Sequence, residues 1–115
     1  AMYQNGIGVQ QDYKKAKEWF EKAAAQGYAM AQSNLGILYS NGYGVKQDYF
    51  KAKEWFEKAA AQGYKLALHN LGVMYYNGQG VKQDKTVAKK WFGEACDSGF
   101  QMGCDNYKKL NQQGY

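Results

Sequence analysis

Apolar residues recur along this chain at helical spacing, in stretches broken by glycine. Between Ala29 and Tyr64, residues Ala31, Leu35, Leu38 and Tyr39 share one face of a helix expected from about Met30 to Asn41. Gly42 is placed to end it, since glycine tolerates the left-handed turn after a helix. A short loop, Tyr43–Gln47, carries Val45 beneath the hairpin. Asp48 is placed to cap the next helix, because its carboxylate can accept from free N–H groups and suits the helix dipole. Ala52, Phe56 and Ala59 form the inner stripe of that helix, and Gly63 stops it. On its outer face Lys53–Glu57 and Glu54–Lys58 are spaced as ion pairs. Gly36 breaks the pattern, since glycine inside a helix costs roughly 1 kcal/mol against alanine. Its recurrence as Gly72 suggests close approach of helices.

The pattern is periodic. Gly6-Ile7-Gly8-Val9 recurs as Gly42-Tyr43-Gly44-Val45 and as Gly78-Gln79-Gly80-Val81. Asp12, Asp48 and Asp84 follow in step, as do Ala16, Ala52 and Ala88, then Trp19-Phe20, Trp55-Phe56 and Trp91-Phe92. Gly27, Gly63 and Gly99 close each set, always at an offset of 36 residues. An isolated antiparallel helix pair cannot bury both of its apolar faces, whereas stacked pairs can. The expected fold is therefore all-α, an α/α solenoid of antiparallel helix pairs in one domain. Residues 1–28 make a partial repeat, 29–64 and 65–100 full repeats, and 101–115 a C-terminal capping helix.

The run Asn34-Leu35-Gly36, Tyr39, Gly42, Gly44-Val45, Asp48, Lys51-Ala52, Trp55, Lys58-Ala59-Ala60 and Gly63 resembles the Sel-one-like repeat family, a relative of the tetratricopeptide fold. The resemblance covers nearly the whole chain. It implies a right-handed superhelix with first helices on the concave side and second helices on the convex side. It also implies an adaptor that assembles other proteins, and many bacterial members are exported. The ends depart from the pattern. Ala1-Met2-Tyr3 aligns with Ile37-Leu38-Tyr39, the last turn of a first helix, and the second helix of that unit is expected from near Tyr13. At Gln101–Gln113 Tyr107 replaces the leucine of Leu35 and Leu71, and Lys108 replaces the glycine. That is the polar cap a solenoid needs. Without a cap at the other end, residues near Tyr3, Ile7 and Phe20 are expected to self-associate.

Cys96 and Cys104 are the only cysteines, set to face each other across the bend between the last two helices. Their spacing resembles that of the Helicobacter cysteine-rich proteins, which carry a disulfide at this bend. A disulfide is the favoured reading, with two buried thiols in a cytosolic protein as its alternative. A bond places the chain in the periplasm or outside the cell; free thiols would make it cytoplasmic. Two cysteines supply half a tetrahedral metal set, and His69 is distant in sequence, so no metal is expected.

Composition and charge change the picture little. Net charge is +5, which suggests an acidic partner, but all 15 basic residues are lysine and most alternate with glutamate on one helix face. Bidentate phosphate and base recognition favours arginine, so nucleic acid is not expected as a partner. No apolar run is long enough for a membrane span, so insertion is not expected. No signal peptide is present, which says little in a chain that starts mid-repeat. The Gly-x-Gly loops follow helices and lack the context of a phosphate loop. Trp19, Trp55 and Trp91 read as packing between units rather than as a stacking ladder. His69 is the single histidine, and none of Ser33, Ser40 and Ser98 has a lysine three residues on. The expected protein is therefore no enzyme and needs no cofactor. Its rivals are a weak β-lactam- or cell-wall-acting enzyme of the cysteine-rich type and a cytosolic adaptor.

By analogy with the tetratricopeptide fold, the concave face carries Ser33, Asn34, Ile37 and Ser40, then Leu66, His69, Asn70, Val73 and Tyr76, then Asp105, Asn106 and Lys109. A peptide or extended protein segment is the expected ligand there. The recurrent Asn34, Asn70 and Asn106 have two readings: contacts for a ligand backbone, or structural amides bonded to the next helix.

Overall fold

The structure, a computed structural model, describes the backbone of residues 7–115 and the side chains of residues 12–115. Among the described residues six helices follow one another: α1 (Ile7–Ala25), α2 (Ala29–Asn41), α3 (Tyr49–Ala60), α4 (Lys65–Asn77), α5 (Lys85–Asp97) and α6 (Gln101–Gln112). There is no strand among the described residues. Each helix packs on its successor, which makes a helical-repeat solenoid measuring 45 × 30 × 26 Å.

The local signals act as expected in the two complete units. Gly42 and Gly78 end α2 and α4 at φ 71° and 70°, donating their N–H groups to the carbonyls of Leu38 and Met74. The carboxylate of Asp48 accepts from the Lys51 N–H at 3.1 Å, and that of Asp84 from the Val87 N–H at 3.0 Å. The loop between is tied down twice more. Asp48 N–H donates to the Tyr39 carbonyl at 2.9 Å, and the Gln47 amide donates to the Ser40 carbonyl at 2.8 Å. Asp84 and Gln83 repeat both bonds with Tyr75 and Tyr76.

The first copy behaves differently. The segment from Ile7 is helical and continuous with α1, so Asp12 lies within a helix and not at its cap. This corrects the expected start near Tyr13. In the later copies the loop is held by the carbonyls of a preceding first helix, and no such helix is among the described residues here.

Ala52, Phe56 and Ala59 of α3 meet Ala67, Leu71 and Met74 of α4 in the central core. The edge of the Phe56 ring lies where a Gly36 Cβ would stand, 2.5 Å away, and Phe92 meets Gly72 in the same way at 2.6 Å. The recurrent glycines thus let α2 and α4 approach the phenylalanines of α3 and α5. Trp91 packs on this central core, and Trp55 packs on the preceding one, built from Ala24, Ala31, Leu35 and Leu38. Each tryptophan therefore seals its own unit to the one before. Trp19 has no such neighbour among the described residues and is 73% exposed. Lys53 pairs with Glu57 at 2.9 Å, and that hydrogen bond holds the Lys53 ammonium above its ordinary pKa. The expected Glu54–Lys58 pair does not form among the described residues; Lys58 lies instead over the Trp55 ring at 4.6 Å.

Candidate functional site

The first helices α2, α4 and α6 present their C-terminal halves beside one another, and a depression lies on each side of α4. One holds about 390 Å³ and sits between α2 and α4, with Phe56 at its floor. Ile37, Ser40 and Asn41 line one wall, and Asn70, Val73, Met74 and Asn77 the other. Tyr49 and Gln79 close its end, with the Gln79 amide donating to the Tyr49 hydroxyl at 3.4 Å. The other holds about 280 Å³ and sits between α4 and α6, with Phe92 and Leu110 beneath and Val73, Tyr76, Asn77, Asn106 and Lys109 around it. The two are one site built twice. Phe56 and Phe92, Ile37 and Val73, Asn41 and Asn77, Asn70 and Asn106 each stand one repeat apart. Their rims differ, because Tyr76 replaces Ser40 and Lys109 replaces Val73.

The second depression is the more basic. The Lys85 ammonium lies over the Tyr76 ring at 5.2 Å. Among the described residues neither Lys85 nor Lys109 joins an ion pair; those found are Lys17–Glu21 and Lys53–Glu57.

Seven of the twelve residues expected on the ligand-binding face therefore line the depressions: Ile37, Ser40, Asn70, Val73, Tyr76, Asn106 and Lys109. Asn34, Leu66 and Asp105 lie outside both. Leu66 is exposed at the start of α4, and Asp105 accepts from the Gln101 amide at 2.9 Å. Ser33 and His69 are corrections, since they are only 1% and 8% exposed. His69 is turned inward against the rings of Phe92 and Phe100, at centroid distances of 5.2 and 4.9 Å. Its Nε2 is 3.1 Å from the Asn106 amide nitrogen. Burial pushes its pKa below the ordinary 6.5. Ser33 holds the same position one repeat earlier, buried with no hydrogen-bond partner for its side chain among the described residues.

The asparagines divide accordingly. Asn106 is bonded to a neighbouring helix, while Asn70 has no side-chain hydrogen bond among the described residues and lines the first depression. Asn41, Asn77 and Gln79 were not singled out in the sequence. Asn41 was expected only as the end of a helix, and Asn77 stands one repeat after it. Among the described residues no serine meets a base: Ser40 donates to the Ile37 carbonyl at 3.1 Å, and the side-chain partner of His69 is Asn106.

At the far end, Cys96 in the last turn of α5 and Cys104 in the first turn of α6 form a disulfide, with Cα atoms 4.5 Å apart. At the opposite end Ala16, Trp19, Phe20, Ala23, Tyr28 and Met30 line an apolar hollow beside α1. Tyr3 and the side chain of Ile7, also expected at that end, lie outside the described residues.

Three tandem units of the Sel1 repeat match the chain, at residues 1–28, 29–64 and 65–100. The chain belongs to the Sel1 repeat family. Among solved structures it resembles a protective antigen of uropathogenic Escherichia coli displaying an SLR fold, at 38% identity and TM-score 0.86, over 97% of this chain and 24% of that one. A Sel1 repeat protein from Oxalobacter formigenes is 35% identical with TM-score 0.85, over 99% of this chain and 46% of that one. Helicobacter pylori cysteine-rich protein B is 30% identical with TM-score 0.73, over 77% of this chain and 67% of that one. The chain thus spans about a quarter and just under half of the first two relatives. No curated protein matches it.

Proposed function

We propose that this Sel1 repeat chain is a non-enzymatic protein-interaction module that holds a peptide or extended segment on the concave face formed by α2, α4 and α6. The observation that carries the reading is the depression built twice, with the same apolar floor and asparagines but different rims. A floor of this kind supplies affinity by burying side chains, and the Asn70 amide, unpaired among the described residues, can meet a ligand backbone with both donors and an acceptor. The serines and His69 make no nucleophile–base pair, which speaks against the hydrolytic rival. The disulfide, together with the likeness to a cysteine-rich protein of Helicobacter pylori, supports a periplasmic or secreted location over the cytoplasm.

The test is photo-crosslinking. A photoreactive residue at Val73 should yield a discrete protein adduct in the producing cell, and one at Lys90 on the outer face of α5 should not. Adducts from Lys90 alone would contradict the reading.

The apolar hollow beside α1 supports a second contact, self-association through that end. Sedimentation should show concentration-dependent growth that Trp19→Ser weakens. A strict monomer at high concentration would count against it.

A further inference from the structure

The two depressions share one architecture, so the places where their walls differ set what each accepts. One repeat on from the first, Val73 becomes Lys109, Ser40 becomes Tyr76, Tyr49 becomes Lys85 and Gln79 becomes Tyr115. In the first depression Tyr49 and Gln79 close the end with a neutral hydrogen bond of 3.4 Å. At the corresponding residues of the second, the Lys85 ammonium lies against two rings, 5.2 Å from the centroid of Tyr76 and 5.6 Å from that of Tyr115. Ring faces attract an ammonium and hold it in place without neutralising it. Lys109 lines the second depression directly, with Tyr76.

The first helices supply almost nothing to answer that charge. α2 and α4 carry no acidic residue, and α6 carries only Asp105, which accepts from the Gln101 amide at 2.9 Å. Asp84, next to Lys85, caps α5 by accepting from the Val87 N–H. Neither Lys85 nor Lys109 joins an ion pair among the described residues. The floor below is apolar, with Phe92 and Leu110 buried. A hollow that is apolar beneath and cationic at its rim complements a side chain with a methylene stem and a carboxylate head. The neutral walls of the first depression offer no such partner.

We infer that the depression between α4 and α6 takes an acidic side chain, aspartate or glutamate, of the bound segment. Lys109 is its partner on the wall, and Lys85 adds positive potential from beside Tyr76. The inference rests on the groove reading above and adds the charge that the ligand carries at one of its two depressions.

The probes are two displayed libraries of random twelve-residue peptides, one with the random stretch internal and one with it at a free C-terminus. Both are selected at low salt on the disulfide-bonded chain and on Lys109→Glu, a change at an exposed position. Aspartate and glutamate should be enriched from the internal library on the parent chain, and that enrichment should fall on Lys109→Glu. A fluorescein-labelled peptide of the selected sequence is then measured by anisotropy. Changing one of its acidic residues to the amide should weaken it by up to about fivefold, the scale of one exposed ion pair. The same change should cost little against Lys109→Gln, and added salt should weaken the acidic peptide more than its amide version. Acidic enrichment confined to the free C-terminus library would assign the carboxylate to a chain end and overturn the inference. Peptides that Asn70→Ala weakens, but that carry no acidic preference or lose as much on Lys109→Gln as on the parent, would overturn it and leave the groove reading standing. No saturable binder from either library, or binders that none of Asn70→Ala, Tyr76→Ala and Lys109→Gln weakens, would overturn both.

Discussion

A missing methyl group sets the distance between helices at Gly36. An added Cβ would lie within 2.8 Å of three atoms of the Phe56 ring, and that ring is itself buried. Gly36→Ala gains about 1 kcal/mol of helix propensity, but overpacking a tight core commonly costs about 1–3 kcal/mol. We expect net destabilisation in urea titration, partly restored by Phe56→Leu in the same chain; an alanine variant more stable than the parent would contradict the packing account. His69 makes the second prediction at this scale. The neutral ring is favoured in the folded chain, so the unfolded chain takes up its proton first as pH falls. The stability this contributes is complete above the ordinary value of 6.5 and is lost as pH falls through the depressed folded value. The urea midpoint should drop between pH 7 and pH 5, and His69→Gln should flatten that drop. The glycine was legible in the sequence because it broke a rule and did so twice. The burial of His69 was not, because Ser33, His69 and Asp105 look like a variable surface position until Phe100 and Asn106 are brought against the ring.

At the scale of the element, the tryptophans separate packing between units from helix formation. Trp91 closes α5 onto the central core, whereas Trp19 is largely exposed. Trp91→Ala should cost roughly 2 kcal/mol, below the 3–5 kcal/mol of a fully buried aromatic because Trp91 is half-buried. Trp19→Ala should stay within about 0.5 kcal/mol in the same chain. Equal losses would show that the position matters to its own helix alone. The disulfide pins α6 to α5 across a short loop, which in the chain-entropy model stabilises by about 2–3 kcal/mol. Reduction, or Cys96→Ser with Cys104→Ser, should lower unfolding free energy by that amount and speed amide exchange in α6 first. Protection unchanged in α6 would contradict a pinning role. Helices, caps and the facing cysteines were legible because each depends on residues close in sequence. The start of α1 was not. Its Gly-x-Gly-Val run is the one the later loops carry, but the shape of those loops depends on the Tyr39, Ser40, Tyr75 and Tyr76 carbonyls of a helix before them.

For the whole molecule, stacking decides what a ligand would meet. The period of 36 residues dictated helix pairs, and the pairs leave depressions between successive first helices. Analogy named the helices but not the floor, since Phe56 and Phe92 belong to second helices and reach the depressions only through the glycines opposite them. The central claim is that this shared face, and not the outer lysine-rich face, takes the ligand. The most direct measurement is an amide NMR titration with a peptide from the partner segment that the Val73 crosslink captures, run on the parent chain and on Asn70→Ala and Tyr76→Ala. The account predicts shifts gathered at Ile37, Asn70, Val73, Tyr76 and Lys109, and weaker binding in both variants with helicity kept. Shifts gathered instead at Lys53, Glu54 and Lys90, or helicity lost in Asn70→Ala in step with binding, would contradict it.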